Sequence, residues 1–302
     1  MIRKSILLAS VLSLLLHIPA QGQEGLFTDE IGIKVRIPDP PRRIVSMAPS
    51  ITEILFTLGL REEVVGVTDF CNYPEAALTK QRIGGFVNPS IEKIVSLKPD
   101  LILAIRDGNR MDTLDRLKDL GFSVYVVDPT GFDGVVKTIE NIGEVVRRRD
   151  KSTEITRKMT KKKEVIVKLT QSLPKPRVFF QVGYSPIVTV GRGTLGDDLI
   201  RLAGGRNISE NEPGSYPLYG VETILSKAPE VIILSSMDSK KDYLNLIKMW
   251  RSWKDLPAVK MNAIYVIDSN LVDRPTPRVV EGLEAMAGMV HPEISFPLSK
   301  QN

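Results

Sequence analysis

A set of side chains able to grip a small ligand falls outside the regular segments of this sequence: Phe70, Tyr73, Phe86, Arg106, Tyr184, Tyr216, Tyr219 and Arg274. Each follows a predicted strand or precedes a predicted helix, and open parallel sheets present ligands at the carboxyl ends of their strands. Aromatic residues make up only 6% of the chain, so their gathering in loops reads as a binding cleft, although each one singly reads as packing. Catalytic chemistry finds less to work with. The histidines are His17 and His291, and the one cysteine is Cys71. These cannot build a His-rich or structural zinc site or an intramolecular disulfide. A serine hydrolase would have to use His291 as its base, and no nucleophile motif supports it. No catalytic residue, metal ligand or cofactor is expected.

Gly191-Arg192-Gly193-Thr194-Leu195-Gly196 matches the dinucleotide fingerprint between a short strand and a helix. Asp197 and Asp198 follow in the first turn of that helix, where two carboxylates would repel a pyrophosphate. A glycine-rich turn is therefore the preferred reading. A nucleotide-binding α/β enzyme stands as the alternative from another class.

One phrase occurs twice. Its first copy is Ser90-Ile91-Glu92-Lys93-Ile94-Val95-Ser96-Leu97-Lys98-Pro99-Asp100-Leu101-Ile102-Leu103, and its second runs Gly-Val-Glu-Thr-Ile-Leu-Ser-Lys-Ala-Pro-Glu-Val-Ile-Ile from Gly220 to Ile233. Each copy predicts a short amphipathic helix, stopped before a proline, that feeds a buried strand. Glu92 and Glu222 match, each in a first turn where the helix dipole stabilises a carboxylate by about 0.3–1 kcal/mol. The wide offset implies two lobes of one design, not a solenoid of many short repeats.

Hydrophobic periods supply the elements that position these residues. Alternating Ile31, Ile33, Val35 and Ile37 predict an edge strand or hairpin over 29–37. Strands at 64–68, 101–105 and 124–128 alternate with helices at 51–58 and 109–120, which implies a parallel sheet with helices on both faces. Residues 132–172 hold no proline and predict two helices, the first ending near 149–150 and the second over 152–173. The second would extend about 30 Å and act as a rigid strut. Its run of Lys158, Lys161, Lys162 and Lys163 reads first as a solvated face and second as a docking patch. After Pro174 and Pro176 the pattern restarts, with strands at 177–183, 187–190, 231–236 and 264–268 and helices at 196–203, 240–251 and 277–290. Trp250 and Trp253 both read as core. The expected organisation is a leader at 1–22, an N-terminal α/β lobe at 23–131, a helical segment at 132–173 and a C-terminal α/β lobe at 174–302.

The leader reading rests on Arg3 and Lys4 before an apolar run over 6–18, then Ala20-Gln21-Gly22 at a cleavage site. This is the pattern of a Sec signal peptide, and no cysteine follows to take a lipid. A monomer free in the periplasm or secreted is expected, with the periplasm preferred. The formal net charge of +5 in 302 residues, reduced when Arg3 and Lys4 leave, does not call for nucleic acid.

With these stretches in view, the chain resembles the substrate-binding proteins of ABC importers in the cobalamin, haem and ferric-siderophore uptake family. The resemblance is carried by Pro41-Arg42-Arg43-Ile44-Val45-Ser46, Ala48-Pro49-Ser50-Ile51-Thr52-Glu53, both copies of the repeated phrase and Ala203-Gly204-Gly205-Arg206-Asn207-Ile208. Trp253, Leu256-Pro257-Ala258-Val259 and Pro277-Arg278 extend it. It implies two Rossmann-like lobes with parallel sheets, bridged by one long rigid helix, with ligand between them and little closure on binding. It also implies that Glu92 and Glu222, one per lobe, meet arginines on an inner-membrane permease dimer that works with ATPase subunits. Residues 86–128 and 177–183 are most similar to the cobalamin carriers, and Phe70, Phe86 and Tyr216 match positions where those place aromatics. The sequence departs at Ile105, Val182 and Leu271, where aromatics would be expected. A corrinoid is the implied ligand. A ferric siderophore held by Arg106, Arg192 and Arg274, or a haem ligated by Tyr73, Tyr184 or Tyr216, is the alternative.

Overall fold

The computed structural model describes residues 24–236 and 240–294, so the predicted leader lies outside the described residues. The chain opens with an antiparallel hairpin of β1 (Glu24–Thr28) and β2 (Lys34–Pro38). The predicted strand starts later than 29 because Asp29 caps a turn. Its carboxylate accepts the backbone N–H groups of Ile31 and Ile33 at 3.2 and 2.7 Å, an arrangement that competes with a strand ladder.

The first lobe continues as β3 (Ile44–Ser46), α1 (Pro49–Thr57), β4 (Val64–Val67), a 3₁₀ turn at Glu75–Thr79 and β5 (Gln81–Arg82). It then runs α2 (Ile91–Ser96), β6 (Leu101–Ile105), α3 (Met111–Asp119) and β7 (Val124–Val127). These strands form one parallel sheet in the order β5-β4-β3-β6-β7. Every residue of β6 is buried, as a central strand covered on both faces requires.

Two helices lead out of this lobe, α4 (Gly131–Val145) and α5 (Arg149–Thr170). The break falls a few residues before the predicted one. Arg147 takes a left-handed φ of 56°, while Arg147 and Arg148 donate their N–H groups to the carbonyls of Glu144 and Gly143, a Schellman closure built without glycine at the left-handed position. Gly143 has another duty, since a Cβ there would lie 2.2 Å from Ser152 Oγ. The lysine run of α5 divides: Lys162 pairs with the buried Glu284 and Lys163 with Asp133 at 2.5 Å, whereas Lys158, paired with Glu154 on the same helix, and Lys161 stay on a solvated face.

The second lobe contains β8 (Arg177–Tyr184), β9 (Ile187–Thr189), α6 (Leu195–Leu202), β10 (Arg206–Asn207), β11 (Leu218–Tyr219), α7 (Val221–Lys227) and β12 (Val231–Ser236). It ends with α8 (Lys240–Ser252), α9 (Pro257–Lys260), β13 (Ile264–Asp268), α10 (Ser269–Val272) and α11 (Val279–Val290). Its sheet runs β11-β9-β8-β12-β13, with β10 beside β8. The β8, β10, β12 and β13 strands are parallel, whereas β9 and β11 make an antiparallel edge. Trp250 is fully buried and donates Nε1–H to Gln181 Oε1 at 2.9 Å. Trp253, expected in the core, is instead 41% exposed beyond the end of α8.

One apolar core passes from Val35 in the hairpin through Phe132, Met159 and Ile166 of α4 and α5 to Val290 of α11. Two smaller clusters lie apart from it, one around Ile94 and Leu117 and one around Phe179 and Trp250. Polar contacts also cross between lobes. Arg278, just before α11, donates Nε–H and Nη2–H to the two oxygens of Glu53 in α1 at 2.6 and 2.8 Å. Its guanidinium lies 3.8 Å from the centre of the Tyr73 ring, and Arg274 donates to Asn72 Oδ1 at 2.9 Å. Glu53 is 1% exposed, so removing its carboxylate strands a mostly buried cation. Glu53→Ala is expected to cost about 3 kcal/mol, seen as a lowered midpoint in urea unfolding. A loss below about 1 kcal/mol would mean that water takes over the guanidinium.

Candidate functional site

Both copies of the repeated phrase fold alike. In the first, the Ser90 hydroxyl accepts the Lys93 N–H at 3.2 Å and donates to Glu92 Oε2 at 2.9 Å. The backbone N–H of Glu92 and the Ser90 hydroxyl hold that carboxyl below its usual range. The helix ends at a left-handed Lys98 before Pro99, and α7 ends at a left-handed Ala228 before Pro229. Behind each helix an arginine reaches from the start of a strand: Arg43 Nε donates to the Leu97 carbonyl and Arg177 Nε to the Ala228 carbonyl, both at 3.0 Å. An acidic residue then caps that strand, Asp100 accepting Arg42 N–H and Arg43 N–H and Glu230 accepting Arg177 N–H. Glu92 and Glu222 are exposed, and neither enters an ion pair among the described residues. Their side chains are thus presented by helices anchored at the opposite end. The clamping arginines belong to stretches visible in the sequence, yet nothing in their spacing announced the contact.

A cavity of about 690 Å³ opens at the carboxyl ends of the second sheet. Its walls are largely apolar, from Val182, Val188, Val190, Leu195 and Leu246, with Tyr184, Tyr216, Ser235 and Asp273 as polar points. Tyr184 and Tyr216 are about half exposed. Desolvation, then the negative charges of Asp107 and Asp273, raises the Tyr216 hydroxyl above its ordinary value. Asp107 follows β6 of the first lobe, so Tyr216 lies where the two lobes face each other. Asp273 accepts the Ser235 hydroxyl proton at 2.6 Å. Burial and then the charge of Asp268 push its carboxyl up to about 6, against the opposing effects of Ser235 and Arg274.

Of the residues singled out from sequence, Tyr184 and Tyr216 line this cavity, and Arg274 follows its Asp273 directly. Phe70 (59% exposed), Tyr73 and Arg106 stand on first-lobe loops and do not line it. Tyr73 lies under Arg278, and Arg106 pairs with Asp128 at 2.8 Å. Phe86 packs where a Cβ on Gly108 would sit 2.1 Å away, and its carbonyl accepts an N–H from buried Asn109. Tyr219 leaves the set altogether, stacking on Phe179 in the core. Ser235 and Asp273 were missed, because their pairing depends on bringing the ends of β12 and α10 together.

The glycine-rich stretch folds as a turn. Thr194 caps α6 through the Asp197 N–H, while the Asp197 carboxylate accepts N–H donors from Gly193 and Asn207. Asp198 accepts the backbone N–H of Phe132 at 2.8 Å, which joins α6 to α4. The Asp197 carboxylate thus takes the Gly193 N–H that a phosphate bound at this turn would use.

Comparison with known proteins agrees with this architecture. The model of the family described as periplasmic binding protein matches residues 44–271. The vitamin B12-binding protein of Vibrio cholerae is 31% identical over 248 residues, covering 82% of this chain and 88% of that protein. A solved structure of the periplasmic vitamin B12 binding protein of Vibrio cholerae superposes with a TM-score of 0.75 at 29% identity, covering 84% of this chain and 98% of that one. An uncharacterized ABC transporter substrate-binding lipoprotein of Bacillus subtilis is 32% identical over 266 residues, 86% of this chain and 83% of its own. The periplasmic heme-binding protein of Roseiflexus sp. RS-1 shares the fold, with a TM-score of 0.74 at 23% identity over 83% of this chain and 98% of that one. Two sheets, the α4–α5 connection and a family match across most of both lobes lead to one statement: this chain belongs to the periplasmic binding protein family.

Proposed function

We propose that the protein is the substrate-binding component of an ABC importer, exported by its leader, that captures a corrinoid between its lobes and presents it to a permease dimer. The charge pattern of the cleft carries the ligand reading. Haem propionates and ferric siderophores are anionic and call for free cations. Here Arg106 is paired with Asp128, Arg278 with Glu53, and Arg192 is bound to the Glu210 carbonyl and Asn211. Asp107 and Asp273 meanwhile place negative charge around Tyr216. A flat, neutral macrocycle edged with amides suits apolar walls, half-exposed tyrosines and acceptor carboxylates. The relatives named for vitamin B12 support the same reading. A ferric siderophore is the second reading, favoured by Arg274, which donates to the neutral amide oxygen of Asn72.

Isothermal titration with cyanocobalamin, haemin and a panel of ferric siderophores tests the ligand. Cyanocobalamin is expected to bind at least tenfold more tightly than the others. Tyr216→Ala should weaken it by about 1–2 kcal/mol, the scale of a lost aromatic contact. Preference for haemin or a siderophore would overturn the corrinoid reading.

Docking is proposed to use Glu92 and Glu222, one exposed carboxylate per lobe, meeting arginines in bidentate contacts on a two-fold permease. The double variant Glu92→Ala, Glu222→Ala is expected to abolish uptake of labelled cyanocobalamin by cells while its affinity in titration changes less than twofold. Normal uptake by that variant would remove these residues from the interface.

A further inference from the structure

Trp253 takes no part in the ligand cavity, but it walls a second one. A groove of about 470 Å³ lies between the end of α7 and the turn that joins α8 to α9, lined chiefly by Leu225, Ala228, Trp253, Lys254, Leu256 and Pro257. Its floor is apolar, since Leu225 and Leu256 belong to the core cluster around Phe179 and Trp250. Backbone bonds hold the walls. Trp253 donates its N–H to the Trp250 carbonyl and accepts that of Leu256, both at 3.1 Å, and Ala258 N–H reaches the Pro229 carbonyl at 3.0 Å. The groove is therefore formed before anything enters it, which lowers the cost of filling it.

Its position selects the occupant. Leu225 follows Glu222 by three residues on α7, about 4.5 Å along the helix axis and on an adjoining face. A partner that pairs with Glu222 therefore reaches the groove as well. The rim is polar: Asp255 pairs with Lys260 at 3.3 Å, and Lys254 enters no ion pair among the described residues. An apolar floor inside a polar rim, with a tryptophan in the wall, is the make-up of the centre of a protein interface. The first lobe has no matching wall. Its α3 is followed by Gly121 and then β7, without a helix corresponding to α9, and Val95, which matches Leu225 in the repeated phrase, is an exposed residue of α2.

We propose that this groove belongs to the permease-docking surface: it takes an apolar side chain of leucine or phenylalanine size, presented by one permease subunit beside the arginine that meets Glu222. This rests on the docking reading above and adds to it the second group recognised. A two-fold permease offers the same arginine and the same apolar side chain to each lobe, and the second lobe alone has the α8–α9 wall to enclose the latter. Two lobes that present equivalent carboxylates thus contribute unequally to docking.

The test has two parts. Benzophenone maleimide is attached to Ser226→Cys, one turn from Glu222, or to Lys254→Cys at the groove rim; Cys71 is buried and does not compete for the label. Labelled protein is added to spheroplasts of its own strain and illuminated. Both positions are expected to cross-link one polypeptide, identified by mass spectrometry as the membrane-spanning subunit of an ABC permease. Affinity for that permease, assembled with its ATPase subunits in nanodiscs, is then measured for wild type and for Trp253→Ala, Trp253→Phe and Val95→Ala, each checked for folding by its thermal melt. Trp253→Ala is expected to bind about thirtyfold more weakly, Trp253→Phe to recover most of that loss, and Val95→Ala to lose less than about threefold. A permease cross-link from Ser226→Cys but none from Lys254→Cys, or Trp253→Ala binding like wild type, overturns the groove's role and leaves docking through the carboxylates intact. Failure of both positions to trap a permease subunit overturns both.

Discussion

Arg278 carries its charge to a place where Glu53 is the anion that meets it, and the two come from opposite lobes. Removing both from water is expensive, and the geometry repays it with two short parallel hydrogen bonds and an aromatic face beneath the guanidinium. Neither partner can move away without leaving a buried charge behind. The distance between α1 and the start of α11 is thereby set, and with it the width of the space between the loops that follow the two sheets. Arg274 and Asn72, a few residues along, repeat the connection with a neutral partner. The mouth of the cleft hangs from these contacts.

A second constraint comes from repetition. Arg43 and Arg177 each hold the carboxyl end of a short helix, and Asp100 and Glu230 each cap the strand that follows. The same local machine thus occurs once per lobe, down to a left-handed residue before proline. Short helices are weak on their own, so α2 and α7 depend on this clamp to hold their first turns steady. The lobes differ where the cavity lies, because the second sheet ends in the antiparallel β9 and β11 and the first does not.

Much of the frame was legible in the sequence because it rests on local patterns. The repeated phrase, the buried run of β6 and the carboxylates after Gly196 each declare their structure within a few residues. The hairpin turn at Asp29 was harder, since alternation of Ile31 and Ile33 hides a side chain that caps its own backbone. Trp250 and Trp253 show the limit more sharply: three positions apart, one meets Gln181 in the core and the other is partly exposed at the surface. The site was least legible. Glu53 finds Arg278 across 225 positions and Ser235 finds Asp273 across 38, and no periodicity reports a contact between separate loops.

The core that runs unbroken from the hairpin through α4 and α5 to α11 has a consequence for how the molecule comes apart. Where two domains meet through a soft linker, each can open alone, and slow-exchanging amides divide into two populations. Here Phe132, Met159 and Ile166 belong to the same packed body as residues of both sheets, so neither lobe can open that shared core without exposing the other's side of it. The chain should lose its structure as one cooperative unit, with its most protected amides spread over both lobes instead of confined to one.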